Sequence, residues 1–158
     1  MLFHLSIAAQ EPQHVAEVIA EFWRGVALPF APVMPGGWIA LAGDDRGTAI
    51  EVYPIDTVLR AEEGDAESFG ERTGEKTRFT ATHAAIATLL VQDEVMAIAA
   101  REGWPAKYRK RGGAFGVIEL WIEGRQMVEL LTAEMQAEYL AAMTGDKYRA
   151  MLKTLAQP

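Results

Sequence analysis

Apolar and polar positions in the first third of the chain alternate first with a strand period and then with a helix period. Residues 2–9 form a short, mostly apolar run that predicts a strand. A helix follows, because large apolar residues recur at spacings of three and four: Val15, Val18, Ile19, Phe22 and Trp23. Two further runs, 38–42 and 48–53, flank a Gly/Asp-rich turn and predict a hairpin.

The same order of elements returns in the second half of the chain. A strand is predicted at 78–88, and a second helix is marked by Val91, Val95, Met96, Ile98 and Ala99. A basic strand at 106–111 is typical of a sheet edge, and a hairpin follows over 116–131. Thr132 is a predicted N-cap for one of two final helices.

This repeat predicts an α+β fold in which two βαβββ modules form a cupped, eight-stranded mixed sheet with C-terminal helices added. The modules are expected at 1–54 and 78–132, and the helical extension at 133–158, all within one structural domain. The connector between the modules, 55–77, is rich in glycine and carboxylates and shows no clear period. It is therefore predicted to be a solvated linker, with a functional lid as the alternative.

Composition narrows the range of functions. The net charge of −7 argues against a nucleic-acid partner, and the absence of cysteine excludes disulfides and thiolate metal sites. No apolar run reaches the roughly 20 residues that a membrane span needs, and the N-terminus lacks a signal-peptide pattern. The expectation is a cytoplasmic protein with a small-molecule substrate and no membrane partner.

Two histidines and two glutamates recur at matched positions of the repeat. His4 and His83 are 79 residues apart, and Glu51 and Glu129 are 78 apart. Together they form a mixed nitrogen and oxygen ligand set that suits a divalent Zn, Ni, Co, Mn or Fe ion. Four protein ligands would leave two octahedral positions for substrate. Each residue alone also fits a structural histidine or a solvent-facing glutamate, so a metal-free cavity stays open.

Residues beside these four are candidates for a substrate pocket, because side chains two apart in a strand share a face. The candidates are Trp38, Tyr53, Glu119, Trp121 and Met127. A solvent-facing Glu119 is the alternative. His14, the third histidine, is expected at the surface. The basic run at 107–111 is interpreted as a solvated edge or as a contact with an acidic surface.

The stretches "HLSIAA" with "AIEVYP", and "HAAIAT" with "MVELLT", resemble the vicinal oxygen chelate superfamily over about residues 2–132. The resemblance implies paired βαβββ modules with a divalent metal between them. The pattern His4, Glu51, His83, Glu129 is similar to that of bacterial-type glyoxalase I, in which each module supplies one histidine and one glutamate. The turn "EGRQ" departs from the Asp-Pro-Asp-Gly-like turn that is usual there.

The resemblance implies a metal-dependent lyase or isomerase that acts on vicinal oxygens through an enediolate-like intermediate, with Glu129 or Glu51 as general base. The alternative is a metal-free, drug-sequestering protein of the bleomycin-resistance kind, with a ligand held between Trp38, Trp121 and Tyr53. A residual site that only stabilises the fold is a third hypothesis. A homodimer is possible, and the modules can pair within one chain or exchange between two.

Overall fold

The first half of the computed structural model contains four strands and one helix in the predicted order. The structure describes residues 2–30, 34–60, 69–76 and 80–155. The elements are β1 (His4–Ala9), α1 (Pro12–Trp23), β2 (Val26–Pro29), β3 (Trp38–Leu41) and β4 (Ala49–Pro54). They form a sheet of order β1-β4-β3-β2, in which β1 runs parallel to β4 and the other pairs are antiparallel.

The predicted linker contains a small two-stranded sheet, which differs from the expectation of a solvated connector. Strands β5 (Thr57–Arg60) and β6 (Phe69–Arg72) pair antiparallel. The run Thr57-Val58-Leu59 is favourable for a strand, and an ion pair of 2.8 Å between Arg60 Nε and Glu71 Oε2 links the two strands. Residues 61–68 and 77 of the predicted connector lie outside the described residues.

The second half repeats the first, so the predicted α+β class is confirmed. Its elements are β7 (Ala84–Ala87), α2 (Gln92–Glu102), β8 (Ala106–Arg111), β9 (Phe115–Ile122) and β10 (Gln126–Leu131). The sheet order is β7-β10-β9-β8, which leaves β8 at the predicted edge. The two four-stranded sheets are separate hydrogen-bonded units, where the sequence predicted one eight-stranded sheet. Helices α3 (Ala133–Ala142) and α4 (Gly145–Leu155) follow.

Helix α1 forms because its apolar stripe has partners on two sides. Pro12 occupies the first turn, where its missing N–H costs nothing. The helix ends at Arg24, which adopts a left-handed φ of 53°. Gly25 follows against β3, and a Cβ there would lie 2.0 Å from the Leu41 carbonyl oxygen. Only glycine allows this close approach of helix end and strand.

The same helix joins the two halves. The Trp23 indole N–H donates to the Ala87 carbonyl at 2.9 Å, and the Thr88 hydroxyl donates to the Phe22 carbonyl at 2.6 Å. Phe22 is fully buried in a core that contains residues of both halves. Burying a phenylalanine contributes about 1.5–3 kcal/mol, so the halves stabilise each other.

Helix α3 lies against one end of the second sheet. Thr132 caps it, as predicted, by accepting a hydrogen bond from the Met135 N–H. Glu138 accepts from the Gly116 N–H at 2.7 Å, and Tyr139 meets Phe115 edge to face at 5.0 Å. Among the described residues, no helix is long and apolar enough to cross a membrane.

Candidate functional site

The first sheet has one face packed on α1 and another that carries Glu51; we refer to the latter as the site face. Glu51 lies beside Ser6 of β1 on one side and Ile39 of β3 on the other. Residues paired across neighbouring strands point to the same face, so all three belong to the site face. His4 is two residues before Ser6 and shares that face.

The second sheet repeats this register. Glu129 lies beside Ala85 of β7 and Glu119 of β9. Ala85 follows His83 by two residues, as Ser6 follows His4. His83 itself lies just before β7, which is shorter than the predicted strand. Each predicted histidine therefore precedes by two residues the position that faces its glutamate.

A small polar cluster surrounds Glu51. Its Oε2 atom accepts hydrogen bonds of 2.8 Å from both the Ser6 and the Tyr53 hydroxyls. Its Oε1 atom lies 4.0 Å from His4 Nε2, and the His4 side chain is 61% exposed. Burial and the neighbouring Glu51 carboxylate raise the pKa of Tyr53, so its phenol stays protonated and remains a donor. The cluster thus holds one carboxylate oxygen and leaves the other facing an accessible imidazole.

Glu129 has a different partner. Arg111, the last residue of β8, donates to its Oε1 from Nε at 3.1 Å and from Nη2 at 2.5 Å, and Nη2 also lies 2.8 Å from Glu119 Oε1. Arg109 adds an ion pair of 3.2 Å with Glu119 Oε2. The hydrogen bonds to Glu129 and then Glu119 raise the pKa of Arg111. Two guanidinium groups, Arg111 and Arg109, therefore balance the two carboxylates of the second site face.

The two pairs do not converge within one chain. His83 is exposed, and its Nδ1 lies 3.5 Å from the Ala81 carbonyl. In the part of the chain that the structure describes, no group of three or more His, Asp or Glu side chains is arranged to hold a metal. His14, expected at the surface, is exposed on α1 and bonds Glu102 at 2.5 Å.

The predicted pocket residues divide between the two faces. Glu119 and Trp121 lie opposite Glu129 and Met127, so these four share the second site face. Tyr53 lies on the first site face, through its bond to Glu51.

Trp38 does not join them, which corrects its predicted place. It pairs with Val52, a fully buried residue on the helix face, and Ile39 stands opposite Glu51 instead. Gly37 and Gly116 are 79 residues apart, as His4 and His83 are, but aligning the two halves on these glycines misplaces β3 by one residue, and a shift of one reverses the face.

The sequence analysis missed the role of Arg111. The run at 107–111 looks like a solvated edge because all five of its residues are polar or basic. Strand alternation contains the missing signal: Lys107 pairs with Glu119, so Lys107, Arg109 and Arg111 all point to the site face.

A cavity of about 1030 Å³ opens beside His4. One wall comes from residues 2–5 at the start of β1, and the other from residues 84–89 in and after β7. Tyr139 and Leu140 of α3 close it on the side of the second sheet. Most of this lining is apolar, so the cavity is large enough for a small organic molecule and suited to one.

Solved structures of a fosfomycin resistance protein and of glyoxalases share this fold of two repeated βαβββ units. The fosfomycin resistance protein FosX of Listeria monocytogenes matches over 87% of this chain and 97% of its own, with a TM-score of 0.55 and 13% identity. The trypanothione-dependent glyoxalase I of Leishmania major matches over 94% and 98%, with a TM-score of 0.54 and 14% identity. A lactoylglutathione lyase from Agrobacterium tumefaciens matches over 85% and 94%, with a TM-score of 0.54 and 10% identity. No family model and no curated protein matches the sequence.

A divalent metal suits the first pair better than the second. Two atoms bound to one ion at about 2.1 Å each lie at most about 4.2 Å apart, and His4 Nε2 and Glu51 Oε1 satisfy this limit at 4.0 Å. Ser6 and Tyr53 supply the outer hydrogen bonds that orient metal-binding carboxylates. Glu129 has the right residue type and register, but a cation there must compete with Arg111.

Proposed function

We propose that the chain is a metal-dependent lyase or isomerase of the glyoxalase type, acting on a small molecule with vicinal oxygens. The observation that carries the proposal is the equal register of the pairs His4–Glu51 and His83–Glu129 on two repeated sheets. One relative of the same fold, a FosX structure with a TM-score of 0.55 and 14% identity, was solved with Mn(II) and sulfate. A bound divalent ion would supply Lewis-acid polarisation of the substrate oxygens.

We further propose that two copies of the chain complete the site. His4 and Glu51 of one copy would meet His83 and Glu129 of the other, because the four do not converge within the described part of one chain. The outer part of the first site face supports this arrangement. Val26 and Leu28 of β2 are 54% and 49% exposed there, beside Leu41 and Ile39, and a second copy would cover them.

Within this site, Glu51 is the proposed proton acceptor. Its Oε1 makes no hydrogen bond with the described residues, whereas Oε2 is anchored by Ser6 and Tyr53. If Oε1 leaves the metal ion, the carboxylate stays anchored through Oε2 and can take a proton from carbon and return it to the neighbouring carbon. Glu129 is held by Arg111, which favours a role in orientation and charge balance.

Metal titration by calorimetry tests the metal site. We expect His4→Ala and His83→Ala each to weaken Ni²⁺ or Zn²⁺ binding by more than the ~10–100-fold that loss of an outer-shell partner costs. His14→Ala is the matched control, because it is the remaining histidine and bonds only Glu102 among the described residues. Equal metal affinity in wild type and His83→Ala would contradict the four-residue site.

Mixing the two variants tests the second copy. If the site is shared, a hybrid dimer of His4→Ala with His83→Ala contains one intact site and one doubly altered site, so metal binding returns. If each chain closes its own site, the mixture binds metal as weakly as either variant alone. Proton exchange at an α-hydroxycarbonyl, tested with the hemithioacetal of methylglyoxal, then decides whether the metal-loaded protein catalyses the proposed reaction.

A metal-free binding protein is the second candidate, and the Arg111 contacts favour it. Arg111 and Arg109 already balance the charges of Glu129 and Glu119, so the second site face does not need a metal for charge balance. This candidate predicts that wild-type protein binds no divalent ion in the titration, while apolar ligands still enter the cavity beside His4.

A further inference from the structure

A second, smaller cavity lies where the turn between β9 and β10 approaches the ends of β1 and β4. Its volume is about 210 Å³. Both halves of the same chain supply its walls. The polar lining consists of Ser6, Tyr53, Thr57, Thr80, Thr82, Arg125 and Gln126. Ile7, Ala8, Ile55 and Leu59 form the apolar lining.

Two donors at this cavity lack partners among the described residues. The Arg125 Nη1 atom and the Thr57 hydroxyl are buried and make no hydrogen bond with them. None of the ion pairs in the described part of the chain involves Arg125, although the whole chain carries a net charge of −7. A buried guanidinium nitrogen without an acceptor is unfavourable, so an anionic ligand would satisfy it.

The remaining polar groups already donate to the protein. Ser6 and Tyr53 donate to Glu51, and Thr80 donates to the Thr82 carbonyl. Their hydroxyl oxygens therefore offer acceptor lone pairs to a ligand. Gln126 uses its amide N–H groups on the carbonyls of Thr82 and Met127. Among the described residues, no Asp or Glu lines the cavity itself, although the Glu51 carboxylate lies behind it, bonded to the Ser6 and Tyr53 hydroxyls.

We propose that this cavity binds a small organic anion that also carries a hydroxyl group, such as a hydroxycarboxylate or the phosphate ester of a short polyol. Arg125 and Thr57 bind the anionic group, and the oxygens of Ser6 and Tyr53 accept from the hydroxyl. Ile55 and Leu59 contact the carbon chain. The anion site shares Ser6 and Tyr53 with the surroundings of Glu51, but its ligand contacts neither His4 nor the proposed second copy.

Calorimetry on metal-free protein tests this site with three probes: glycolate, glycerol 3-phosphate and inorganic phosphate. We expect at least one of them to bind, and Arg125→Gln to weaken that binding at least about tenfold, because hydrogen bonds to charged groups are among the strong ones. Arg149→Gln makes the same charge change on the exposed surface of α4 and should bind as wild type does. The preferred probe identifies the anionic group.

A second variant keeps the test independent of any folding defect in Arg125→Gln. Thr57→Val preserves the shape of the side chain and removes a buried hydroxyl that has no partner. It should weaken probe binding several-fold while leaving thermal stability equal or higher. The His4→Ala protein should bind the probe as wild type does, which separates this site from the metal site. No binding of any probe at millimolar concentration, or equal binding by Arg125→Gln, would overturn the proposal.

Discussion

The two halves of the molecule place a glutamate at the same point of the same sheet, yet give it opposite surroundings. In the first sheet, the residues that pair in turn with Glu51 on the next two strands are Ile39 and Leu28. In the second sheet, the residues that pair in turn with Glu129 are Glu119 and Lys107. The backbone of the repeat thus fixes where the carboxylate stands, and side chains of the outer strands decide what it contacts.

This difference has a chemical consequence. Glu51 is held by two neutral hydroxyls, which leaves its charge free to attract a cation or a proton. Glu129 shares the charge of Arg111 with Glu119. In the proposed site both carboxylates bind one metal, and Arg111 competes with that metal for Glu129. The contribution of Arg111 to the free energy of unfolding is therefore measured first.

The largest expected effect comes from Arg111→Met. The change leaves Glu129, only 8% exposed, without its guanidinium partner and next to a second carboxylate. We expect the free energy of unfolding at pH 7 to fall by about 1–3 kcal/mol, the cost of leaving a buried charged group unpaired. Urea denaturation measures it.

The control for this experiment is Arg149→Met, which breaks an exposed ion pair with Asp146 and should cost less than about 0.5 kcal/mol. A double variant, Arg111→Met with Glu129→Leu, should recover most of the loss, because paired charges can be replaced by apolar groups of similar size. Unchanged stability in Arg111→Met would show that the two halves do not differ energetically at their glutamates.

A smaller effect is expected at Tyr53, whose position on the second sheet is taken by Leu131. Tyr53→Phe removes one of the two hydrogen bonds to Glu51 Oε2, and we expect a loss of about 1 kcal/mol at pH 7. Ser6 keeps the carboxylate anchored.

The dependence of the free energy of unfolding on alkaline pH provides a second test of Tyr53→Phe. Burial raises the pKa of Tyr53 above the value of about 10 expected in the unfolded chain. Above pH 10 the unfolded state therefore loses this proton before the folded state does, and the free energy of unfolding falls as pH rises. Tyr53→Phe should make that decline shallower. An equally steep decline in both proteins would contradict a buried, protonated phenol.

Much of the fold follows from periodicity because its elements depend on local pattern. The apolar stripe of α1 has the predicted spacing, and the alternation around Glu51 and Glu129 places both on one face of their sheets. The basic composition of β8 also predicted its position at a sheet edge. These features need no knowledge of distant partners.

The features that the sequence did not predict depend on packing between distant segments. Trp38 faces α1 because pairing with β4, and not spacing from a glycine, decides its side. Arg111 looks solvated until β9 and β10 place two carboxylates beneath it. The importance of Arg125 is evident only in the structure, where its turn lies beside the first half of the chain. The pattern of residues close in sequence contains no information about contacts between such distant segments.

The smallest effect concerns the surface contact between the halves. Arg101 of α2 binds Glu21 of α1 through a pair of hydrogen bonds of 3.0 and 2.6 Å. Both side chains are roughly half exposed, so solvent screens the pair, and Arg101→Met should cost less than about 1 kcal/mol at pH 7. Phe22 and Trp23 supply the apolar contact that holds the halves together when this pair is removed.

The pH dependence of Arg101→Met tests its ion pairs, because Arg101 also bonds Glu102 at 2.7 Å. The hydrogen bonds from Arg101 lower the pKa of Glu21 below its ordinary value of 4.5. Its contribution to stability is therefore complete above that pH and is lost as pH falls through the lowered folded pKa. The gap between wild type and Arg101→Met, measured by urea denaturation, should narrow as pH falls below 4.5, and also in 1 M salt. A gap that persists at low pH would mean that Arg101 stabilises the protein through packing of its stem and not through its charge.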